Sequence, residues 1–577
     1  MSRQQTLILI ALVVSPTLAR ASDERLARDA RAFLSKYCYD CHGGGNDVGE
    51  DLNVADLASM LKHPEAAGKA AYIVPGKPGE SLLWDYMSTG PKIRMPKKNA
   101  PQPTPEERKI IERWILDGAE FPTKTERKPI EARATLAAIA THLNKLKRAD
   151  QPYQRFFTLD HLHNNPTLAD DSLAVHRAAV SKLANSLSWQ PEIVVPEVVE
   201  GTEGTVLVID LRKLGWDFED WKAIAKAYPY GVTHSDDEAF RDLEREVARL
   251  AGTRLAAIRA DWFVATVSRP PLYDRLLRLP ASLRDLEHKL GVNLEANFDR
   301  DILKRAGMIT SGVSKHNRLV ERHPTPFGAY WRSYDFGSSD GRGNLNLFPL
   351  GPRFPGNHFD DQAFEQAGGE VIFHLPNGLQ GYMLADAKDR RLDAPAPIAI
   401  VRDREETAGT PEVVNGISCI ACHKNGMKSA IDEIRASPAV FAAAAEKMLR
   451  LYPPTAELNK LTARDEKRFL DALDLAIGSF LKIGDDSGKS VRDLVEPVGE
   501  VARLYVQDLT PEAIAAELEL PNIEAVRTAI GAEKFRELGL GPLLGAKAVK
   551  RELWEGKPAR SLFQRVSNEL GRASQPL

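Results

Sequence analysis

The sequence CYDCH at residues 38–42 and the sequence CIACH at residues 419–423 decide how this chain of 577 residues is interpreted. Both follow the pattern Cys-x-x-Cys-His, and together they use all four cysteines. Two thiols at this spacing can form thioether bonds to the two vinyl groups of one haem, and the histidine that follows can bind the iron. The sequence therefore predicts two covalently attached haem c groups, held by Cys38, Cys41, Cys419 and Cys422, with His42 and His423 as proximal iron ligands.

Three other uses of these cysteines fit the sequence less well. Four cysteines in an exported chain would first suggest two disulfides, but the repeated spacing and the two histidines favour haem. A thioredoxin-like Cys-x-x-Cys site needs no histidine after the motif. A four-cysteine zinc site usually brings its cysteines closer together in the sequence.

The first 21 residues have the features of a secretory signal peptide. Arg3 supplies a positive charge, Leu7–Val14 is an uninterrupted apolar run, and Ala19–Ala21 has the small–x–small pattern of a cleavage site. As a helix, eight residues rise only about 12 Å, which is too short to cross a bilayer. We therefore expect residues 1–21 to be removed and the protein to be periplasmic, with no membrane span after cleavage.

Composition narrows the class of protein further. Hydrophobic residues make up 43% of the chain and charged residues 27%, as is typical of globular proteins and not of disordered or polytopic membrane proteins. The formal charge is −3, so no basic surface is indicated and no nucleic-acid partner is expected. The length allows three or four domains.

Residues 22–125 are predicted to form a small c-type cytochrome domain around the first motif. The apolar residues from Leu26 to Tyr37 follow helical spacing and lead directly into Cys38. Thr104 and Glu107 form a capping box that predicts a second helix. The loop between the two helices should provide the sixth iron ligand. Met95, which Pro96 follows, is the favoured candidate, and the alternatives are Met60 and Met87.

This region resembles the planctomycete-type cytochrome c domain. The resemblance rests on CYDCHG, on VPGKPGESLLW at residues 74–84, on MP at residues 95–96, and on TPEERKIIERWILDGAEFP at residues 104–122. It covers roughly 90 residues, and it implies His42 and Met95 as the axial ligands of haem 1. A thioether ligand favours ferrous iron and raises the reduction potential, which suits an electron-transfer haem.

Residues 126–305 are predicted to form a mixed, mostly helical middle domain. The sequence TVLVIDL at residues 205–211 predicts a short strand, and much of the remainder has helical spacing. This segment carries no catalytic signature, and no catalytic residue is assigned anywhere in the chain.

Residues 306–485 are predicted to form a second haem domain that contains a β hairpin. GEVIFH at residues 369–374 and GLQGYML at residues 378–384 are predicted strands joined by Pro376 and Asn377. The helix of the second motif should begin near Gly416, with Asn415 as its cap. This region resembles long, functionally obscure bacterial dihaem cytochromes. The resemblance rests on the segments RLVERH, GAYW, LPNGLQGYM and NGISC-x-x-CH.

The sixth ligand of haem 2 is left open by the sequence. His423 is the last histidine of the chain, and only Met427 and Met448 follow as soft donors. Upstream, His374 and Met383 lie on the predicted hairpin. The distal candidates are therefore His374, Met383 and Met448, with His316, His323 and His358 as further alternatives. An iron with an open sixth position is an equally acceptable outcome.

The predicted fold class is multidomain and mainly α. It consists of the N-terminal cytochrome domain, a mixed α+β central region, the second haem domain and a helical tail over residues 486–577. The predicted function is electron transfer through two haems to an unidentified redox partner protein. The alternative is a peroxidase- or oxygenase-like oxidoreductase, in which haem 1 exchanges electrons with an open haem 2 where a substrate reacts.

Overall fold

The structure is a computed structural model that is rich in helices. It describes residues 26–574 except for 28, 32, 35–36, 39–41, 43–51, 53, 55–56, 63–70, 89–94, 98–101, 121–126, 169, 235–236, 312–315, 397–400, 404–406, 546 and 557–560. The predicted signal peptide therefore lies outside the described residues. In the described part of the chain, no helix combines the length and the apolar character needed to cross a bilayer.

The N-terminal region has a hydrophobic core of its own. The described residues between Leu26 and Tyr37 are helical. They are followed by helices Leu57–Met60, Leu82–Ser88 and Pro105–Leu116. Apolar side chains from Ala27 to Ala119 form one buried cluster that is separate from the other cores. The predicted capping box is confirmed, because Thr104 Oγ1 accepts from the Glu107 N–H and the Glu107 carboxylate accepts from the Thr104 N–H.

The remaining helices come before or after the five-stranded antiparallel sheet of residues 304–386 in the chain. Before it they are Ala132–Lys145, Asp160–His163, Asp170–Ser186, Leu211–Leu214, Phe218–Ala227, Glu238–Ala251, Ala260–Val267, Leu272–Leu276, Leu283–Leu290 and Leu294–Asp299. After it they are Ile417–Cys422, Ala442–Leu451, Thr455–Leu481, Pro497–Tyr505, Pro511–Glu517, Ile523–Ile530, Ala532–Glu537, Arg551–Glu555 and Leu562–Glu569.

A small four-stranded sheet lies in the middle region. Its strands, in spatial order, are Glu197–Val198, Val206–Asp210, Gln154–Thr158 and Ala257–Arg259. Only the last pairing is parallel. The strand predicted from TVLVIDL is confirmed as Val206–Asp210, and four of its five residues are buried. A two-stranded pair joins Val232–His234 to Arg572–Ser574, which brings the C-terminal tail back onto the middle region.

A five-stranded antiparallel sheet faces the second motif. In spatial order its strands are Gln380–Asp386, Gly368–His374, Gly328–Asp335, Arg318–Thr325 and Lys304–Met308. The first two form the predicted hairpin, which is confirmed. Paired residues in an antiparallel sheet point to the same face and successive residues alternate. Because Glu370 pairs with Leu384 and Val371 pairs with Met383, the side chains of Glu370 and Met383 lie on opposite faces.

The largest core joins the three predicted segments that follow the N-terminal domain. It contains residues from Phe157 to Val566, including Cys419 of the second motif. Helix Pro497–Tyr505 of the tail packs on the motif helix, and a Cβ on Gly499 would lie 3.0 Å from Ala421 Cβ. Glu517 of the tail pairs with Arg259 of the middle region at 2.7 Å. The second motif is therefore held by parts of the chain that are far apart in sequence.

Candidate functional site

The first motif continues the N-terminal helix. The Cys38 N–H donates to Leu34 O at 2.9 Å, and the His42 N–H donates to Cys38 O at 2.9 Å. Two helical i→i−4 steps therefore carry the chain into the motif. Both Cys38 and His42 are half-buried, whereas Cys41 lies outside the described residues.

The three methionines proposed for the first site differ in burial. Met60 and Met87 are 0% and 3% exposed and belong to the core of the N-terminal domain. Met95 is half-buried and is not part of that core. Its N–H donates to Tyr86 O at 3.0 Å, and the Gln102 amide donates to the carbonyl oxygens of Pro96 and Lys97. These bonds fix the backbone at Met95 and at the two residues that follow it. The side chains of Met60 and Met87 pack in the hydrophobic core.

The second motif occupies a short helix, Ile417–Cys422, and the turn that follows it. Cys419 is buried and Cys422, three residues later, is exposed. The His423 N–H donates to Cys419 O at 2.8 Å, and the turn closes when the Gly426 N–H donates to His423 O at 2.8 Å. The His423 side chain is 9% exposed. The motif therefore lies where the protein interior meets the solvent.

The His423 ring is oriented by the same turn. Its Nδ1 donates to Gly426 O at 3.1 Å, so the proton is on Nδ1 and the lone pair is on Nε2. A histidine that binds a metal commonly donates its second ring N–H to a backbone carbonyl in this way. Burial lowers the pKa of His423, which keeps the imidazole neutral and able to bind a metal. Two thiols and one such imidazole on a single turn form a donor set that fits a covalently attached haem.

The predicted cap of the motif helix is wrong. The helix begins after Gly416, whose φ is +81°, and no side chain caps it. Asn415 instead donates from Nδ2 to Asp274 Oδ1 at 3.0 Å. A side chain on Gly416 would fall against the Ser268 carbonyl oxygen and 2.8 Å from the Tyr273 ring. Close packing of the backbone, and not side-chain capping, decides where this helix begins.

Gly416→Ala should therefore destabilise the protein more than an alanine at a roomier glycine. We expect a loss of about 2–6 kcal/mol in the free energy of unfolding, because the left-handed φ and the crowding each cost about 1–3 kcal/mol. Gly409 is the control, since its φ is +82° and a Cβ there would lie 3.8 Å from the nearest atom, Val506 Cγ2. Denaturant unfolding of both variants measures the difference. Equal losses would show that the contact with Ser268 and Tyr273 is unimportant.

His374 does not present a ring nitrogen to the second motif. Its Nε2 donates to Asp465 O at 3.1 Å, and its Nδ1 accepts from the Ala329 N–H at 3.2 Å. It also lies four residues from Glu370 along one strand, which is about 13 Å. Both ring nitrogens are occupied by backbone groups, so this histidine ties the sheet to the long helix Thr455–Leu481.

Met383 and Met448 are also directed away from His423. The Tyr382 ring lies 6.1 Å from the His423 ring, and Tyr382 shares its sheet face with Glu370. Met383, as the next residue, points to the opposite face. Met448 is 2% exposed and belongs to a different core, together with Leu319 and Tyr334 of that opposite face. The sheet therefore stands between His423 and both methionines.

Glu370 is the residue that the sequence interpretation missed. Its Oε1 lies 3.9 Å from His423 Nε2, and its side chain is 18% exposed. Oε2 lies 3.4 Å from Arg318 Nη2, and Arg318 Nε lies 3.2 Å from Asp335 Oδ1. Arg322, the other arginine of that strand, is engaged by Asp465 at 2.7 Å. A lone carboxylate within the predicted strand GEVIFH was the only sequence signal for this contact.

The comparisons with known proteins concern the N-terminal region. Residues 38–99 match the family model of planctomycete cytochrome C. This match supports a c-type cytochrome domain at the N-terminus, with covalently bound haem c and a role in electron transfer. The searches of curated proteins and of solved structures each return no match.

Proposed function

We propose that this protein is an exported dihaem c-type cytochrome that transfers electrons to or from a redox partner protein. Haem 1 is held by Cys38 and Cys41, with His42 and Met95 as axial ligands. Haem 2 is held by Cys419 and Cys422, with His423 as the proximal ligand. When bound, the haem iron alternates between the ferrous and ferric states and so carries one electron.

The orientation of the His423 ring is the observation that supports the proposal of a second haem. The Nδ1–H bond to Gly426 O leaves the Nε2 lone pair free to bind a metal, and the helix that leads into the turn carries the two thiols. The family match at residues 38–99 supports the first haem independently. The two motifs are equivalent in sequence and together use every cysteine.

Each axial ligand contributes a different property. The Gly426 bond fixes the tautomer of His423 and raises its basicity as a ligand. Met95 provides a soft sulfur that favours ferrous iron, and its neighbours hold it through Tyr86 O and Gln102. The exposed Cys422 supports exchange of electrons at the surface, because a partner can approach that side of the motif.

An oxidoreductase acting at haem 2 is the second candidate. Its support is that His423 Nε2 lies 3.9 Å from the Glu370 carboxylate, a different kind of group from the thioether expected at an electron-transfer haem. A carboxylate is a weaker ligand for ferrous iron than a thioether, so a small substrate could displace it. In that case haem 1 would exchange electrons with haem 2, where the substrate reacts.

Two measurements on the full-length protein test these proposals. The haem content should be two per chain, and a content of one would contradict the dihaem proposal. A carbon monoxide difference spectrum of the dithionite-reduced protein then tests the second candidate. Binding by one haem at low carbon monoxide concentration shows the exchangeable sixth position that the oxidoreductase requires, whereas binding by neither haem excludes the oxidoreductase and supports the electron carrier.

A further inference from the structure

The Glu370 carboxylate lies on the side of His423 where iron would bind. Nδ1 is committed to Gly426 O at 3.1 Å, so Nε2 is the nitrogen available to a metal. Glu370 Oε1 is 3.9 Å from that nitrogen. A neutral imidazole lone pair and a carboxylate oxygen repel each other unless a positive charge lies between them or a proton bridges them.

The separation of the two atoms suits a metal bound by both. Imidazole nitrogen and carboxylate oxygen bind a first-row metal such as zinc at about 2.0–2.2 Å. Two such ligands on opposite sides of one ion are therefore about 4.0–4.4 Å apart. The 3.9 Å between His423 Nε2 and Glu370 Oε1 is close to this range.

Glu370 loses one favourable neighbour once the thioethers form. The Cys419 thiol helps to hold the pKa of the Glu370 carboxyl below its usual range, and a thioether carries no proton to donate. Arg318 remains at 3.4 Å, and it is shared with the buried Asp335 at 3.2 Å. One guanidinium thus contacts both carboxylates in a largely buried place, where charges are normally paired. The Lys428 ammonium acts on Glu370 from a greater distance, and its Nζ is bound to Cys422 Sγ at 3.0 Å. A ferric haem, with one formal positive charge on its core, would place a further positive charge beside Glu370.

The backbone holds the Glu370 side chain toward His423. The Glu370 N–H donates to Ser333 Oγ at 2.9 Å on the neighbouring strand. The register with Leu384 keeps the carboxylate on the sheet face that Tyr382 shares, and the Tyr382 ring lies 6.1 Å from the His423 ring. The sheet therefore presents Glu370 to the motif as a fixed group.

We propose that Glu370 is the sixth ligand of the ferric iron of haem 2. This inference rests on the proposed function, because it requires a haem at residues 419–423. An anionic oxygen donor stabilises ferric over ferrous iron, whereas the sulfur of Met95 does the opposite at haem 1. With these ligands, haem 2 would have the lower reduction potential of the two haems.

Replacing the ligand tests this assignment by spectroscopy in the full-length dihaem protein. Glu370→His puts an imidazole of similar reach at the same position, so the ferric electron paramagnetic resonance spectrum should gain a low-spin bis-histidine signal. Glu370→Ala removes the internal ligand, and ferric haem 2 should then bind added imidazole at a concentration at least about tenfold lower than in the wild type. Its reduction potential should also become more positive.

Asp335→Asn is the matched control. It removes the other carboxylate that pairs with Arg318, so it changes the local charge without touching His423. It should leave the spin state and the imidazole affinity of haem 2 unchanged. If Glu370→Ala does not fold, Glu370→Gln keeps the shape of the side chain and should show the same rise in potential.

Two results would overturn the assignment. With two haems per chain, a Glu370→His spectrum without the bis-histidine signal would show that residue 370 does not reach the iron, while the dihaem proposal stands. A haem content of one, unchanged by loss of Cys419 and Cys422, would overturn the dihaem proposal and the ligand assignment together.

Discussion

The double variant Cys419→Ser/Cys422→Ser is expected to carry one haem per chain in place of two. Serine cannot form the thioether, and these two cysteines are the only ones near His423 in sequence. The remaining haem should be the one with a methionine ligand. Haem content by the pyridine haemochrome assay and the mass of the intact protein both measure the loss.

The reciprocal variant Cys38→Ser/Cys41→Ser is the control for that experiment. It should also carry one haem, but the one with the lower reduction potential. If both double variants kept two haems, the cysteines would not be the attachment sites. If the 419/422 variant matched the wild type while the 38/41 variant lost all haem, the protein would hold a single haem in its N-terminal domain.

Met95→Ala is expected to convert haem 1 from low spin to high spin and to lower its reduction potential. The thioether supplies a strong axial field and stabilises ferrous iron, and water or an empty position supplies neither. Optical and electron paramagnetic resonance spectra report the spin state, and a redox titration reports the potential. The signals of haem 2 should not change.

Met87→Leu and Met60→Leu are the matched controls for Met95. Both residues are buried in the core of the N-terminal domain, and leucine conserves their volume, so each change should cost less than about 1.5 kcal/mol of stability. Neither should alter the haem 1 spectrum. A low-spin spectrum that survives in Met95→Ala but is lost in either control would assign the ligand to that other methionine.

Local sequence signals predicted the elements that local interactions form. The capping box at Thr104 and the turn at Pro376 and Asn377 each act within a few residues, and both were confirmed. The helix Pro511–Glu517 begins in a similar way, because Thr510 Oγ1 accepts from the Ala513 N–H. These interactions need no information about the rest of the chain.

The environment of the second motif could not be predicted in the same way. Glu370 is 53 residues before His423, and only strand register brings the two together. His374 was a candidate ligand because it lies on the predicted hairpin, but tertiary contacts with Ala329 and Asp465 occupy both of its nitrogens. Asn415 was predicted as the helix cap because it precedes the motif helix, but its side chain donates to Asp274 instead. Long-range packing decided each case.

The separate cores of the two motifs imply an order of assembly during synthesis. All residues of the N-terminal core lie between Ala27 and Ala119, so that domain can fold as soon as about the first fifth of the chain has emerged. The second motif packs on helix Pro497–Tyr505, in a core that extends to Val566. Its surroundings are complete only when nearly the whole chain has been made. In the proposed dihaem protein, the second motif would therefore stay open to haem attachment over a longer stretch of emerging chain than the first.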